Sequence, residues 1–519
     1  MSCPAHNAPI KERLQALDDD AELPTAFYWM SAGMVFLVIG IPFIYRWTWL
    51  FLWDIISGVR QDLGPPKRPE GCRRLGRKAE RNLSDETFTL GYKEVPRSAS
   101  FPKPSESDLE NSISKEYANT GLEGRIEALY LHPIKSTAPI EVDSATVTPL
   151  GLAHDRLFSF AHLESKLPDL DGNTEHSWHF ITQRESAQLA LVQTELWIPD
   201  PDAEDYDEDS IWVKNGGCII VRFPFTSDYE YNRTGIRAFI SEMLLRRRSK
   251  GRVGNMVEFR VPLVPCEERI KEKAYQLDQM RIWKEFPESW DMASEIDPII
   301  LRKLAYTLGI SNSVTLFRVR DGFERELYKN APSVEDIGFQ TKVGLQDAYP
   351  ISVQNMSSIY EVEKKVQEVA KKKGKSYRPD SRRFRSNIYI SGPTAFSEVH
   401  MKRLAIQGRS TSDAEDQKSS EPPEPIVFAL PCRIPRCKMP NNDPLLGVRD
   451  DDVFQPLSYL NKEWRIDPGA SSGILGMMAI AYADSLHKEI RVGDEVVFYK
   501  HGEHVYNKIP DKEKWTPSN

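Results

Sequence analysis

Two thiols and three cations fall within eleven residues at Leu430-Pro431-Cys432-Arg433-Ile434-Pro435-Arg436-Cys437-Lys438-Met439-Pro440. The thiolate, not the thiol, is the nucleophile and the metal ligand, and cations beside a cysteine favour it. Arg436 and Lys438 flank Cys437 in this way. On residue type alone the pair fits a redox couple, half of a zinc site or an activated nucleophile. No second cysteine pair lies nearby, which disfavours a four-cysteine zinc site. Walker A, GxGxxG, HExxH and GxSxG patterns are all missing, which removes the common nucleotide-binding, metalloprotease and hydrolase readings.

Four cationic patches precede the cysteines. They are His132-Pro133-Ile134-Lys135-Ser136, Gly151-Leu152-Ala153-His154-Asp155-Arg156, Thr182-Gln183-Arg184-Glu185 and Arg382-Arg383-Phe384-Arg385-Ser386-Asn387. Taken singly, each reads as a surface ion-pair partner. Together they supply guanidinium forks for phosphate, with amides and hydroxyls for a polar heterocycle. Lys135 and Ser136 are placed to meet a phosphate. His501 and His504, near a polar C-terminus, read as satisfied surface residues.

The elements that must carry these patches are mostly short strands. Residues 125–131, 144–148, 156–160, 218–223, 388–390 and 490–499 have alternating or β-branched patterns bounded by turns, and the last of them could close a β-barrel. Helical periodicity marks about 235–247 and 298–308. Residues 347–358 read as a strand running into a helix, with Ser358 as N-cap, Glu361 completing a capping box and an apolar stripe of Ile359, Val362, Val366 and Val369. Insertions at 163–177 and in the acidic run 200–209 read as solvated loops.

Residues 25–45 carry no charge over 21 positions, enough to span a bilayer core of roughly 30 Å. Trp47, Trp49 and Trp53 suit an interfacial belt, Arg46 can snorkel, and Pro42 can kink the helix. The acidic run before this segment (Asp18, Asp19, Asp20, Glu22) is the wrong flank for a signal peptide, so a retained anchor is expected. Arg60, Lys67, Arg68, Arg73, Arg74, Arg77, Lys78 and Arg81 follow it and put the C-terminal head in the cytosol. The sequons at Asn82, Asn232 and Asn355 then stay unmodified. A net charge of −8 and a pI near 5.8 argue against nucleic acid as a partner. Six cysteines in 519 residues indicate a reducing compartment rather than a disulfide framework.

The order of HPIKS, GLAHDR, TQRE, RFRSNIYISG and the cysteine segment resembles the MOSC-domain proteins with an N-terminal β-barrel. Within them it is most similar to the mitochondrial amidoxime-reducing components, in a long fungal-type form. The resemblance covers about residues 124–500. It implies an α+β, β-rich fold: an N-terminal MOSC β-barrel domain at 120–265, a partly helical connection at 266–345 and a MOSC β-barrel domain at 346–505 with a disordered insertion at 407–425. A polar tail (1–24), a single transmembrane helix (25–53), a flexible tether (54–119) and a C-terminal tail (506–519) flank these parts.

The resemblance further implies a molybdenum cofactor (Mo-molybdopterin) and reduction of N-hydroxylated, amidoxime-type substrates. Electrons would come from NADH through a flavin reductase and a b-type cytochrome, at the outer mitochondrial membrane or, alternatively, the endoplasmic reticulum. Cys437, followed by Asn441-Asn442-Asp443-Pro444, matches the metal-ligating, catalytic cysteine. The family's animal members have Cys-Ser-Arg-Cys where this chain has four residues between the thiols, and Cys432 reads as a bystander that tolerates serine. Lys135, Ser136, Arg156, Arg383, Arg385 and Asn387 match pterin and phosphate contacts, and Arg436 adjoins the metal ligand. Asn355 and Ser358 fall where further pocket groups are expected, with Arg184 and Thr182 as weaker candidates and Asp443 as a possible proton donor. The alternatives are a non-catalytic cofactor carrier or a cofactor-sulfurase relative, which would add a pyridoxal-phosphate lyase domain; the first 120 residues are too short for one.

Overall fold

The computed structural model describes residues 29–63 (except 31–32 and 35), 68–77, 81–85, 122–168, 174–225, 256–408, 424–450 and 455–506, with Ile236 and Ile240. It divides into two compact units, residues 1–67 with 226–255, and residues 68–225 with 256–519. Most of the expected helix at 235–247 and of the 407–425 insertion, the tail 1–24 and residues 507–519 lie outside the described residues, whereas Tyr506, expected to begin the C-terminal tail, is described.

In the first unit a π-helical turn, Phe36–Gly40, feeds the α-helix Ile41–Leu63. Pro42 has no N–H to donate and its ring crowds the preceding turn, so a widened turn just ahead of it is where such a helix is expected to deform. The window Phe36–Trp53 is long and apolar enough to cross a membrane, and none of it is buried. The helix does not stop near residue 53 as expected but runs on to Leu63, roughly 35 Å for the α-helical part at 1.5 Å per residue.

The second unit is built on two closed rings of strands. The larger runs Ile351–Asn355, Ile388–Ser391, Leu122–Leu131, Glu495–His501, Met401–Gln407, Ile426–Ala429 and Ile474–Ala481, and the last strand pairs back onto the first. The smaller joins Gln276–Arg281, Glu288–Asp291, Val314–Val319, Phe158–Ser165 and His176–Phe180, closed by parallel pairing of the last with the first. A separate four-stranded sheet holds Cys72–Leu75, Gln193–Pro199, Cys218–Pro224 and Met256–Pro262.

Strand pairing runs across the expected boundaries between 120–265, 266–345 and 346–505. Leu122–Leu131 belongs to the ring formed by the C-terminal strands, and the supposed connection supplies three strands of the small barrel. Nor is 54–119 a tether throughout. Cys72–Leu75 pairs with Gln193–Pro199, and Arg77 holds Glu141 and Asp143.

Local signals fared better. Ser144–Thr148 alternates in burial as its sequence does. Pro298–Leu308 forms with Asp297 accepting from the Ile299 amide, Pro298 in the first turn and left-handed Gly309 (φ 70°) ending it. The helix Met356–Lys372 is capped by Asn355, whose side chain accepts from Ser357 N at 3.0 Å, so Ser358 is not its N-cap. Ile359, Val362 and Val366 are buried as expected, but Val369 is exposed and Ala370 takes the last inward position.

Glu495–His501 fulfils the expectation that it closes a barrel, pairing with Leu122–Leu131 on one edge and Met401–Gln407 on the other. Phe498 on this strand is fully buried. Phe498→Ala is expected to cost about 3–5 kcal/mol. Exposed Val448→Ala should stay within about 0.5 kcal/mol. Denaturant midpoints of the two variants check the difference.

Candidate functional site

Turns at the ends of both barrels converge on a cleft of about 250 Å³. Lys135 and Ser136 come from the turn after Leu122–Leu131, and Arg184 from the turn after His176–Phe180. Arg383, Arg385 and Asn387 lie just before Ile388–Ser391, and Arg436 and Cys437 just after Arg433–Pro435. Arg156 completes the set, so six cations line the cleft against one carboxylate, Asp347.

That carboxylate is the hinge of the electrostatics. Lys135 Nζ donates to Asp347 and to Leu345 O at 2.8 Å, and Arg184 Nη2 donates to the second Asp347 oxygen at 2.8 Å. Burial opposes the charge on Asp347, yet the two cations outweigh it and hold its carboxyl well below the usual carboxylate range. Burial brings Lys135 down to about 8 despite its partner. Arg184, also opposed by burial, is raised by Asp347 and by Cys437. Phe180 lies under the Lys135 ammonium at 5.2 Å and Trp283 under the Arg184 guanidinium at 4.9 Å.

Several of the turns adopt backbone that side chains rarely tolerate. Ser136, His154, Arg156 and Arg385 have φ of 65°, 67°, 53° and 52°. Such non-glycine residues cost of order 1–3 kcal/mol each and persist where their surroundings fix them. Here Arg156 N donates to His132 O at 2.8 Å, and Asp155 accepts from His132 N at 2.7 Å. Arg385 Nη1 donates to Thr137 O at 2.6 Å. Asn387 accepts from Arg156 and from Ser352 N and Oγ, and donates to Tyr130 O. Burial pushes both Arg385 and Arg436 down to about 10. Arg436 spends Nε on Leu475 O and Nη1 on Phe384 O, while Nη2 is buried with no hydrogen-bond partner.

The expected residues do not all share this role. Arg383 lines the wall, but its guanidinium goes to Asn442 O, Asp450, Arg378 O and Asp443. Asp443 is occupied in turn by Arg383 and by the amides of Leu445 and Leu446, so the possible proton donor organises a loop outside the cleft lining. Thr182 accepts from Arg184 N at 3.2 Å and shapes its turn.

Asn355 and Ser358 are not in the cleft. Both grip buried Glu398, at 3.1 and 2.8 Å. His504 is no surface residue either: it is 1% exposed, with its ring nitrogens against Met401 O and Pro431 O. The cysteines separate cleanly. Cys432 is fully buried in an apolar cluster with Tyr349 and its thiol is pushed up to about 12 by burial, whereas Cys437 is part-exposed and lines the cleft. Residues not singled out by type are Asp347, Ser352, Trp283, Tyr349 and Tyr506, which also line it. For Asp347 the available signal was an acid just ahead of the strand that starts at Ile351.

Residues 123–227 match the family model of the MOSC N-terminal beta barrel domain. The match supports a MOSC-domain protein, and MOSC domains are associated with molybdenum-cofactor binding and the enzymes that use it. A search of curated proteins gives no match for the chain.

Glu398 offers a test of the Asn355 and Ser358 assignment. Burial raises its carboxyl to about 7, against about 4.3 for an unfolded glutamate. Between those values the folded state binds more protons, so this group's stability contribution is full below about 4.3 and is lost as pH rises through about 7. Glu398→Gln is expected to flatten that slope, read from urea midpoints across the window.

Proposed function

We propose that the chain is a membrane-anchored molybdenum-cofactor oxidoreductase that reduces N-hydroxylated, amidoxime-type compounds. The observation that carries this reading is the meeting of one part-exposed thiol, Cys437, with six cations and a single carboxylate in one cleft. The residues present fit the group. A soft thiolate suits molybdenum. The surplus of buried cations suits an anionic pterin phosphate, and the buried Arg436 Nη2 lacks an acceptor. Cys437 would hold the metal, with Lys135, Ser136, Arg156, Arg385, Asn387 and Arg436 on the pterin and its phosphate. Arg184, held by Asp347 and electrostatically coupled to Cys437, would help to fix the position of the ligand sulfur. When bound, the cofactor supplies a two-electron redox centre for removing the substrate's N–O oxygen.

The chain's own groups set the surroundings of that chemistry. Trp283, Tyr349 and Tyr506 form an aromatic side of the cleft that can stack a planar substrate and limit water. Asp347, pinned by two cations, is a poor proton donor. Lys135 is committed as a donor to Asp347 and Leu345 O.

The proposal extends to partners and place: a b-type cytochrome and its NADH-dependent flavin reductase as donors, and the outer mitochondrial membrane as the site of the anchor. A fluorescent fusion of residues 1–82 separates that membrane from the endoplasmic reticulum.

Metal and pterin content of the purified protein, with benzamidoxime reduction driven by a reduced dye, tests the assignment. Cys437→Ala is expected to abolish turnover; surviving activity would sink the ligand assignment. Cys432→Ser should keep both cofactor and activity but cost about 1–3 kcal/mol of stability, because its hydroxyl enters an apolar cluster. Bound molybdenum without turnover in the parent protein would make it a cofactor carrier instead.

A further inference from the structure

On the small barrel, among residues that do not line the cleft, His162 and His179 face each other as register partners of the strands Phe158–Ser165 and His176–Phe180. Directly opposed residues of an antiparallel pair project from the same face of the sheet, and the two rings lie edge to face at 5.8 Å. Glu185 joins them from the next turn. A ring nitrogen from each histidine and a Glu185 carboxylate oxygen all lie within 4.8 Å of one another. Among the described residues no other trio of metal-ligating side chains converges this closely.

Neither imidazole has a close hydrogen-bond partner at Nδ1, and the carboxylate they share, Glu164, stands only at ion-pair distance. His162 Nδ1 and His179 Nδ1 are buried and make no hydrogen bond, an arrangement that calls for an explanation in a folded protein. Glu164 Oε1 stands 3.6 Å from His162 Nε2 and 3.5 Å from His179 Nδ1, too long for strong hydrogen bonds. A carboxylate beside both rings is the outer group that orients metal-bound histidines. Both histidine side chains are nearly a fifth exposed, at 18% and 19%, and Glu185 is open to solvent. An ion therefore has a way in and room for water as a further ligand.

We propose that His162, His179 and Glu185 form a site for a divalent first-row transition metal, zinc by preference, with Glu164 as its supporting carboxylate. Two imidazoles, one carboxylate and an open water position are a donor set that zinc accepts. The site ties the hairpin to the turn Thr182-Gln183-Arg184-Glu185, whose Arg184 reaches into the cleft. Its role is to position that turn.

The test uses the full-length chain carrying Cys437→Ser, so that the cleft thiolate cannot take the probe. After chelator dialysis the protein is titrated with Co2+. One equivalent should bind with visible ligand-field absorption of a four- or five-coordinate ion, and Zn2+ should displace it. His162→Ala and His179→Ala are expected to lose the band. Glu164→Gln should weaken binding by about 10–100-fold. Glu185→Gln, at an exposed position that leaves the core intact, should weaken it at least tenfold and decides the matter if a histidine variant fails to fold. The site is refuted if the parent shows no band, or if Glu185→Gln or a folded histidine variant binds Co2+ as tightly as the parent.

Discussion

The shared ion pair of Lys135 and Arg184 on Asp347 is the contact on which the cleft depends. Lys135 belongs to the large barrel, Arg184 to the turn leaving the small one, and Asp347 to the segment leading into Ile351–Asn355. Taking an ammonium and a guanidinium out of water costs several kcal/mol per ion unless a partner is well placed. One carboxylate with two oxygens answers both cations, and Leu345 O takes a further Lys135 proton. The same three residues therefore join the barrels and set the charge of the space between their turns.

Beyond that pair the cleft is deliberately unbalanced. Asp155 meets Arg156, and Asp443 and Asp450 meet Arg383, but Arg385 and Arg436 are held chiefly by main-chain carbonyls. Carbonyl dipoles satisfy donors without cancelling charge, and burial accordingly lowers the proton affinity of both guanidiniums. A site in this condition gains from any anion that enters it. The left-handed turns at Ser136, Arg156 and Arg385 point the same way, because strain of that kind is kept where a loop must present its groups in one geometry.

How much of this was legible in the sequence follows from the range of each signal. The helix Pro298–Leu308 and the β-branched strand 144–148 are written in adjacent residues, and so were read correctly. The HPIKS, GLAHDR, TQRE and RFRSN patches were legible as cationic turns, and each contributes residues to the lining of one cleft. Which barrel each strand joins was not legible. Leu122–Leu131 pairs with strands more than two hundred residues away, and nothing in its composition names its partners. Buried polar networks hid for the same reason: Glu398 lies 43 residues after Asn355 and 40 after Ser358, and residue type alone could not tell its grip on them from a ligand contact.

The cysteines show how a few residues of spacing decide chemistry. Between them runs the short strand Arg433–Pro435, which pairs with Ile474–Ala481 through a register shift between its first and last residues. Arg433 at its start is 2% exposed and ion-paired to Asp467 at 3.2 Å, so that end of the strand, with Cys432 beside it, is anchored in the interior. Past Pro435 the chain leaves the strand, Arg436 fastens to Leu475 O and Phe384 O, and Cys437 emerges at the cleft. The two thiols are thus divided by environment: burial in the apolar cluster penalises a charged sulfur at Cys432, whereas Cys437 is part-exposed among the residues that line the cleft. The Ile434-Pro435 insertion, read in the sequence as a departure from the family's spacing, is the length of chain that carries the second cysteine from core to cleft.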